Sequence, residues 1–366
     1  MAETTVQLVF PGQVVRGSGA LDRLGENCKS QGTKALVIGG KTALSKTKEK
    51  IKESLERTGV EAAGFVWYGG ECCLENINML ADQASSCQAD MIIAVGGGKA
   101  LDTGKAAGDV CRLPVITVPT IAATCAAVTP LTVLYNQAGQ FTDNLFFLQC
   151  PACVIIDTAV ILDAPVVWLE AGLGDTLAKM YELRTAASAM EATSLTIAAV
   201  MNGQICYEII SLFGNAAREA VARQEGTAAF AAAVDAIILS AGMSSIFGGT
   251  DLRNAAAHAF YNGFTKIPAT HATAHGLIVG YGNLCLLALE GRSDEELLAE
   301  IELAQRCGIP VTLSQIAELT SEEIQLGAEA AVKTAAMKCM PFAVTAEMVI
   351  NAINRVDNMA ENNKNV

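Results

Sequence analysis

The first half of the chain alternates short apolar runs with segments that have a helical period. The runs Lys34–Gly39, Met91–Val95 and Pro114–Val118 are almost entirely apolar, and amphipathic segments such as Thr42–Thr58 lie between them. Strands that are buried on both faces produce such continuous runs, and helices that cross over the sheet connect them. The pattern predicts a parallel sheet with helices on both faces, ending at the run Cys153–Asp157.

Beyond Asp157 the sequence changes to long stretches of Ala, Leu, Glu and Met with few β-branched runs. This composition predicts helices only. A boundary near Ala164 and Pro165 is expected, because proline is favoured in the first turn of a helix. The predicted fold class is α/β plus all-α, with an α/β domain over residues 1–163 and a helical domain over residues 164–366.

Composition and charge restrict the class of partner. The chain has 366 residues, is 51% hydrophobic and carries a formal charge of -13, which argues against a nucleic-acid surface because phosphate binding depends on clustered Lys and Arg. The N-terminus lacks the basic start and apolar run of a secretory signal, and no apolar stretch long enough for a membrane span is free of polar residues. We therefore expect a cytoplasmic protein with small-molecule partners, no nucleic-acid partner and no membrane contact.

Three glycines, Gly96, Gly97 and Gly98, follow a predicted buried strand and precede a predicted helix. Such a turn lets the backbone approach a diphosphate, whose charge is attracted by the free N–H groups of the helix. The signal is weak by itself, since tight turns need glycine for steric reasons alone, and the spacing differs from G-x-G-x-x-G.

All three histidines of the chain, His258, His271 and His275, lie in one short stretch. Together with Asp175, the pair His258 and His275 would provide a carboxylate and two imidazoles for a divalent cation. Three protein ligands leave a position open, which is typical of a catalytic metal rather than a structural one. The alternative is that both histidines are hydrogen-bonded polar groups between helices.

Five motifs together identify a family. The chain resembles the glycerol-dehydrogenase branch of the iron-containing alcohol dehydrogenases from about Pro11 to beyond Tyr281. The resemblance implies a Rossmann-like nucleotide-binding domain, a helical domain of the dehydroquinate synthase-like fold, a cleft that holds NAD(P) and a metal, and a homo-oligomer. The motifs are Gly96–Ala106, Pro119–Thr124, Gly172–Ala178, Ala257–Gly263 and His275–Gly276.

The resemblance also implies roles for individual residues. Asp175, His258 and His275 match the metal ligands and form the catalytic set. Iron-dependent relatives carry a further histidine four residues after the aspartate, where this chain has Lys179, so zinc is expected rather than iron. The residues expected to bind the cofactor are Gly97, Gly98, Lys99, Asp102, Thr120, Thr129, Leu131 and Tyr135.

Departures from the glycerol enzymes point to a different substrate. Cys125 stands where they carry an aspartate that holds the polyol, and Lys179 and Arg253 stand where they carry small residues. Two cations near a metal suggest an anionic substrate, and the chain looks most like the family's hydroxycarboxylate dehydrogenases. Arg253 is the first candidate for a carboxylate clamp, because a guanidinium binds a carboxylate through two parallel hydrogen bonds.

Two further residues are candidates for a position near the substrate. Phe247 is a candidate wall of the pocket or a core aromatic. His271 is a candidate proton relay or a surface histidine. For Arg253 and Lys179 the alternatives are a salt bridge and a solvated helix face.

The cofactor choice depends on the turn after the first central strand. NAD-preferring relatives often have an acidic residue there, whereas this chain has Gly40 followed by Lys41, which favours NADP(H) over NAD(H). The predicted activity is a metal-dependent NAD(P)(H) oxidoreductase that interconverts 2-oxo and 2-hydroxy acids. The alternatives are a glycerol dehydrogenase, a dehydroquinate synthase-like lyase and a non-catalytic binding protein.

Overall fold

The computed structural model describes residues 6–250 and 252–363, which form two units. One unit contains the chain up to Thr120 together with Ala126–Asn136 and Thr142–Val160. The other contains Ile121–Cys125, Gln137–Phe141 and the chain from Ile161 onward. The main division therefore falls at 160/161, three residues before the expected boundary at 163/164.

The first unit is built around a parallel sheet of six strands in the order β1-β8-β5-β4-β2-β3, and a separate two-stranded sheet pairs β6 with β7. The central strands β2, β4 and β5 are buried almost throughout, which is why their sequences are continuous apolar runs. The strands are β1 (Val14–Gly17), β2 (Lys34–Gly39), β3 (Glu61–Trp67), β4 (Met91–Gly96), β5 (Val115–Pro119), β6 (Leu131–Tyr135), β7 (Phe141–Phe146) and β8 (Cys153–Asp157).

Helices connect these strands as crossovers: α1 (Leu24–Cys28), α2 (Lys41–Glu56), α3 (Leu74–Ser86) and α4 (Gly98–Cys111). The register aligns Gly39 with Val95 and Gly96 with Pro119, so the carboxyl ends of β2, β4 and β5 lie at one edge of the sheet. That edge is where parallel sheets of this class bind ligands.

Strand β1 was not predicted. It has only four residues, and its exposure alternates, so it forms no apolar run. Its position is fixed by parallel pairing of Val14 with Val154 and by the buried carboxylate of Asp157, which accepts hydrogen bonds from the backbone N–H of Gly19 and Leu21 at 3.1 Å each.

Every described element from residue 158 onward is helical, which confirms the predicted class of the second half. A π-helical turn at Ala236–Ser240 joins α8 to α9, and a 3₁₀ turn at Pro268–Ala272 precedes α11. The helices are α5 (Thr158–Leu162), α6 (Val166–Ala187), α7 (Ser194–Ala222), α8 (Ala228–Asp235), α9 (Ala241–Gly248), α10 (Ala256–Phe264), α11 (His275–Leu289), α12 (Asp294–Arg306), α13 (Ser321–Val332) and α14 (Ala346–Asn363).

Helix α6 lies at the centre of this unit and packs against α7 and α11. Two described helical segments, Ser194–Ala222 and Ala228–Gly248, are long and apolar enough to cross a membrane by length and composition alone. The second is mostly buried within the protein, as core helices are, and the first is largely exposed.

Candidate metal centre and cofactor-binding turn

Three side chains from three helices converge in the helical unit. Asp175 lies in α6, His258 in α10, and His275 is the first residue of α11. One ligand atom from each residue lies within 4.8 Å of the other two. Oδ1 of Asp175 is 3.4 Å from Nε2 of His258 and 3.5 Å from Nε2 of His275.

These separations suit a shared cation better than direct hydrogen bonds, which span about 2.7–3.2 Å. Ligand atoms about 2.0–2.1 Å from a tetrahedral zinc ion stand about 3.3–3.4 Å apart. Oδ1 of Asp175 is buried and accepts no hydrogen bond from the described residues. Because one carboxylate and two imidazoles also leave a coordination position open, the residues present fit a divalent metal ion.

The electrostatics keep Asp175 ionised. Burial raises the pKa of its carboxyl, but His258, His275 and Lys179 outweigh burial and hold the pKa well below the ordinary value. A metal ligand must be deprotonated, so this shift favours cation binding.

Glu182 orients one of the imidazoles and was missed by the sequence analysis. Its side chain is fully buried, its Oε2 lies 2.5 Å from Nδ1 of His258, and its Oε1 accepts the backbone N–H of Ala255 at 2.6 Å and of His258 at 2.9 Å. With the Nδ1 proton held by a carboxylate, the lone pair of Nε2 faces Asp175, as metal-binding histidines require.

The pKa values agree with this contact. Burial lowers the pKa of His258, but Glu182 and Asp175 raise it by more. Burial raises the pKa of Glu182, while His258 and the backbone N–H groups lower it to a net value below normal. Glu182 follows Asp175 by seven residues, two helical turns on the same face, so the helical spacing carried a signal that could have found it.

Glycines bring α6 and α11 into backbone contact beside the metal ligands. A Cβ added to Gly276 would lie 1.9 Å from the carbonyl oxygen of Ala171, and one added to Gly174 would lie 2.3 Å from the carbonyl oxygen of Gly276. Asn283 also donates a hydrogen bond of 3.0 Å to the carbonyl of Gly174. This close crossing places the start of α11, and therefore His275, next to Asp175.

Lys179 lies one turn after Asp175 and is only 3% exposed. Helix α7 covers it, since a Cβ on Gly203 would lie 2.6 Å from the Lys179 carbonyl oxygen. In the part of the chain that the structure describes, its ammonium makes no hydrogen bond and no salt bridge.

Cys125 is buried, with its Sγ 3.8 Å from Oγ of Ser245 in α9. Its segment, Ile121–Cys125, lies against α6, because a Cβ on Gly172 would stand 2.1 Å from the carbonyl oxygen of Ala122. The side chain at this position is therefore a buried thiol with a hydroxyl neighbour.

The other three substrate candidates differ in placement. Arg253 is half-buried in the turn before α10, two residues ahead of Ala255, whose N–H is held by Glu182. Phe247 packs against an apolar cluster that includes Leu183, which agrees with the core-aromatic interpretation. His271 is exposed, donates a hydrogen bond of 2.8 Å to the carbonyl of Thr265, and is not part of the metal-ligand group.

The glycine turn of the first unit connects β4 to α4. Gly96 has φ of 145°, a conformation that other residues rarely adopt, and Gly97 caps a helix whose N-terminus has no side-chain cap. Gly40 donates a 3.3 Å hydrogen bond to Val95, and Thr120 donates a 3.1 Å hydrogen bond to Gly96, so the turns after β2, β4 and β5 are linked. The free N–H groups of α4 form an anion-binding feature at this edge.

The charged residues of the turn are engaged within the protein. Nζ of Lys99 lies 2.6 Å from Oε2 of Glu71 and 5.1 Å from the ring centroid of Tyr135. Asp102 is buried, with Oδ1 2.9 Å from Nζ of Lys105 and Oδ2 accepting the N–H of Val133 at 3.0 Å. Asp102 thus braces α4 against β6 and does not point freely toward a ligand.

Lys105 was not predicted and supports two of the predicted cofactor residues. Its buried ammonium donates hydrogen bonds to the carbonyls of Ala126, Thr129 and Leu131. At the edge near β2, a Cβ added to Gly40 would make only ordinary van der Waals contacts, with its nearest atoms 3.9 Å away. The neighbouring Lys41 is exposed, with its Nζ 4.3 Å above the Trp67 ring.

Comparisons with known proteins agree with this arrangement. A family model described as iron-containing alcohol dehydrogenase matches residues 11–158. The chain is 35% identical over 360 residues to a glycerol dehydrogenase of Pseudomonas putida, covering 96% of this chain and 97% of the relative. It is 37% identical over 286 residues to hydroxycarboxylate dehydrogenase A of Escherichia coli K12, covering 78% and 77%. The structure of glycerol dehydrogenase from Schizosaccharomyces pombe superimposes with a TM-score of 0.90 at 29% identity, covering 98% of this chain and 92% of that one. The chain therefore belongs to the iron-containing alcohol dehydrogenase family and is an oxidoreductase of the alcohol dehydrogenase type.

Proposed function

We propose that the protein interconverts a 2-oxo acid and a 2-hydroxy acid, with hydride transfer to or from NAD(P)(H) at a carbonyl polarised by a metal ion. The family uses NAD(P) and a metal, and the similarity to a hydroxycarboxylate dehydrogenase supports the substrate class.

The charge balance around the ligand set carries the proposal. Asp175 and Glu182 provide two negative charges, Lys179 provides one positive charge, and a divalent ion adds two positive charges, so one positive charge remains. At Cys125, where the resemblance leads one to expect a polyol-holding aspartate, the side chain is a buried cysteine. A site with residual positive charge favours a substrate carboxylate over neutral hydroxyl groups.

Asp175, His258 and His275 would hold the metal. Zinc fits this set best, because Lys179 stands where iron-dependent relatives have a fourth ligand, a histidine. When bound, the ion supplies Lewis-acid polarisation of the carbonyl oxygen. The protein's own contribution is positioning: Glu182 fixes the ring of His258, and the glycine crossing of α6 and α11 fixes the position of His275.

In the first unit, the N–H groups at the start of α4 would hold the cofactor diphosphate. The lack of an acidic side chain at Gly40 and the positive charge of Lys41 favour a ribose 2'-phosphate, so we propose NADP(H) as the preferred cofactor. The proposed location is the cytoplasm.

Glycerol dehydrogenase is the second candidate, because several glycerol dehydrogenases, including that of Pseudomonas putida, are similar to the chain over nearly its whole length. The two candidates differ in whether the substrate carries a charge.

A cofactor-oxidation assay distinguishes them. Zinc-loaded protein is mixed with NADPH or NADH and with either a panel of 2-oxo acids or dihydroxyacetone. The proposal expects kcat/KM for at least one 2-oxo acid to exceed that for dihydroxyacetone by about tenfold or more. Activity confined to dihydroxyacetone and glycerol would return the protein to the polyol branch. A product with an altered carbon skeleton and no net cofactor turnover would indicate a lyase.

A further inference from the structure

The ammonium of Lys179 is not paired directly with a carboxylate among the described residues, although its charge lowers the pKa of Asp175. The residue is 3% exposed, yet its side chain makes no hydrogen bond or salt bridge there. Burying a charge without a partner is strongly unfavourable, so such groups are retained where a ligand completes them.

The groups packed around Lys179 do not provide the missing negative charge. Helix α7 contacts the backbone of Lys179 at Gly203. Cys206 lies one turn further along α7, close enough for the Lys179 charge to lower the pKa of its thiol. Burial raises the pKa of the Cys206 thiol to about 12, despite the opposing effects of Ser244 and Lys179. The thiol is therefore neutral at physiological pH.

The other polar groups near Cys206 are also neutral. Its Sγ lies 3.9 Å from Oγ of Ser244, and that hydroxyl accepts a hydrogen bond of 2.7 Å from the side-chain amide of Asn202. The same amide donates a hydrogen bond of 2.5 Å to the carbonyl of Ser240, in the π-helical turn before α9. Apart from these dipoles, two anions lie near Lys179 among the described residues. Asp175 belongs to the metal-ligand set, and the Glu182 carboxylate is held by His258 and by two backbone N–H groups.

The position of Lys179 matches the shape of a 2-oxo acid. Four residues along a helix correspond to a rise of about 6 Å, and residues so spaced lie on one face. The carbonyl oxygen and the carboxylate of a 2-oxo acid are on adjacent carbons, so the group that receives the carboxylate must lie within a side chain's reach of the ligand set. Lys179 meets this condition, because it lies one helical turn after Asp175 on the same face.

We propose that the Lys179 ammonium pairs with the carboxylate of the substrate and selects 2-oxo acids over neutral ketones. The inference rests on the proposed function and makes Lys179, rather than Arg253, the specificity-determining residue.

The test uses the full-length protein loaded with zinc and cofactor, in three variants. Lys179→Met keeps the length of the side chain and removes the charge. Arg253→Met removes the competing cation. Lys333→Met removes an exposed lysine that directly follows α13 and serves as the matched control.

Binding is measured by calorimetry with oxamate, an amide analogue of a 2-oxo acid that cannot be reduced. We expect Lys179→Met to weaken oxamate binding about 100-fold, since truncating one member of a buried charge pair usually has an effect of that size. Lys333→Met is expected to bind like the wild type. Zinc content is measured in each variant, and an unchanged content in Lys179→Met separates substrate recognition from damage to the metal site.

Thermal unfolding gives a readout independent of turnover. Lys179→Met is expected to unfold at the same temperature as the wild type or higher when no anion is present, because an unbalanced buried charge is gone. Oxamate is expected to raise the unfolding temperature of the wild type but not that of the variant.

Kinetics complete the test. For Lys179→Met, kcat/KM for the 2-oxo acid is expected to fall about 100-fold, mainly through KM, while that for dihydroxyacetone changes less than about threefold. If Lys179→Met binds oxamate as tightly as the wild type, or if only Arg253→Met loses it, this inference is overturned while the proposed function stands. If the wild type reduces dihydroxyacetone but neither reduces a 2-oxo acid nor binds oxamate, the proposed function fails as well.

Discussion

The glycine turn of the α/β unit and the metal-ligand set of the helical unit offer different kinds of binding group. The turn offers backbone N–H groups at the start of α4, and its charged side chains, Lys99 and Asp102, are tied to other parts of the protein. The metal-ligand set consists of three side chains that are far apart in sequence. A backbone site should therefore tolerate most side-chain changes, whereas a side-chain site should depend on each member and on the helix packing that aligns them.

The largest expected effect is loss of one metal ligand. His275→Ala should weaken zinc binding by about 1000-fold or more and abolish detectable turnover, because two ligands hold the ion poorly. Zinc content after dialysis against a weak chelator measures it. His271→Ala, which alters an exposed histidine four residues away, should keep its zinc. Retention of zinc by His275→Ala would remove His275 from the ligand set.

The next effect concerns the helix crossing. Gly276→Ala places a methyl group 1.9 Å from the Ala171 carbonyl oxygen, so α6 and α11 must separate. We expect a loss of about 3 kcal/mol in the free energy of unfolding, together with weaker zinc binding. Gly226→Ala is the control, since its nearest atom would be 3.8 Å away. Urea unfolding measures the free energy of unfolding of both variants. Equal values for the two would show that the crossing of α6 and α11 is not tight.

A smaller loss of zinc affinity is expected from changing Glu182, which contacts the ligand His258. Glu182→Gln keeps the shape of the side chain but removes its charge and places an amide group near the backbone N–H groups of Ala255 and His258. Zinc affinity should fall about 10–100-fold with the fold intact, as measured by chelator competition and circular dichroism. Unchanged affinity would mean that the ring of His258 is held by packing alone.

The glycine turn provides the converse test. Lys99→Met should raise the cofactor dissociation constant by less than about threefold, because the N–H groups at the helix start remain. Gly96→Ala should raise it by about tenfold or more, since φ of 145° is strained for alanine and its Cβ would lie 2.9 Å from Cβ of Ala100. Fluorescence titration with NADPH and NADH measures both. A larger effect of Lys99→Met would make the turn a side-chain site.

The smallest effect is at Asp90, at the start of β4. Burial raises the pKa of Asp90, but hydrogen bonds from Thr33 and Lys34 outweigh it, so the pKa is below the ordinary value. A lowered pKa stabilises the fold at neutral pH, and the contribution is lost as the pH falls through the folded-state pKa. Asp90→Asn should therefore lower the free energy of unfolding by less than about 1 kcal/mol at pH 7 and by less still near pH 3. Urea unfolding at both pH values tests this, and an equal loss at the two values would contradict it.

Sequence patterns located the strands that are buried on both faces. Lys34–Gly39 and Cys153–Asp157 were predicted with the bounds that the structure gives. Strand β1 escaped because four residues at a sheet edge carry no apolar run. The short helices α1 and α5 escaped because five residues are too few for a helical period.

The candidate sites were predictable to a different extent. Asp175, His258 and His275 were found from the clustering of histidines and the family motifs. Lys105 was not, because its role depends on backbone carbonyls of a distant segment that only tertiary packing brings near. Glu182 was missed although its spacing from Asp175 places both residues on one helix face. Similarly, the sequence did not distinguish between Lys179 and Arg253 as candidates for binding an anion, since burial depends on tertiary packing.

The pairing of β1 with β8 sets an order of events during synthesis. Val14 aligns with Val154, and the Asp157 carboxylate that anchors Gly19 and Leu21 is translated well over a hundred residues later. Closing such a long loop is slow relative to forming neighbouring β-α units. We therefore expect β2 to β5 to assemble first on the ribosome, while the N-terminal segment remains an unpaired strand until β8 emerges. For this interval the chain is most exposed to association with other chains, and a pulse-labelling hydrogen-exchange experiment should find β1 among the last strands to be protected.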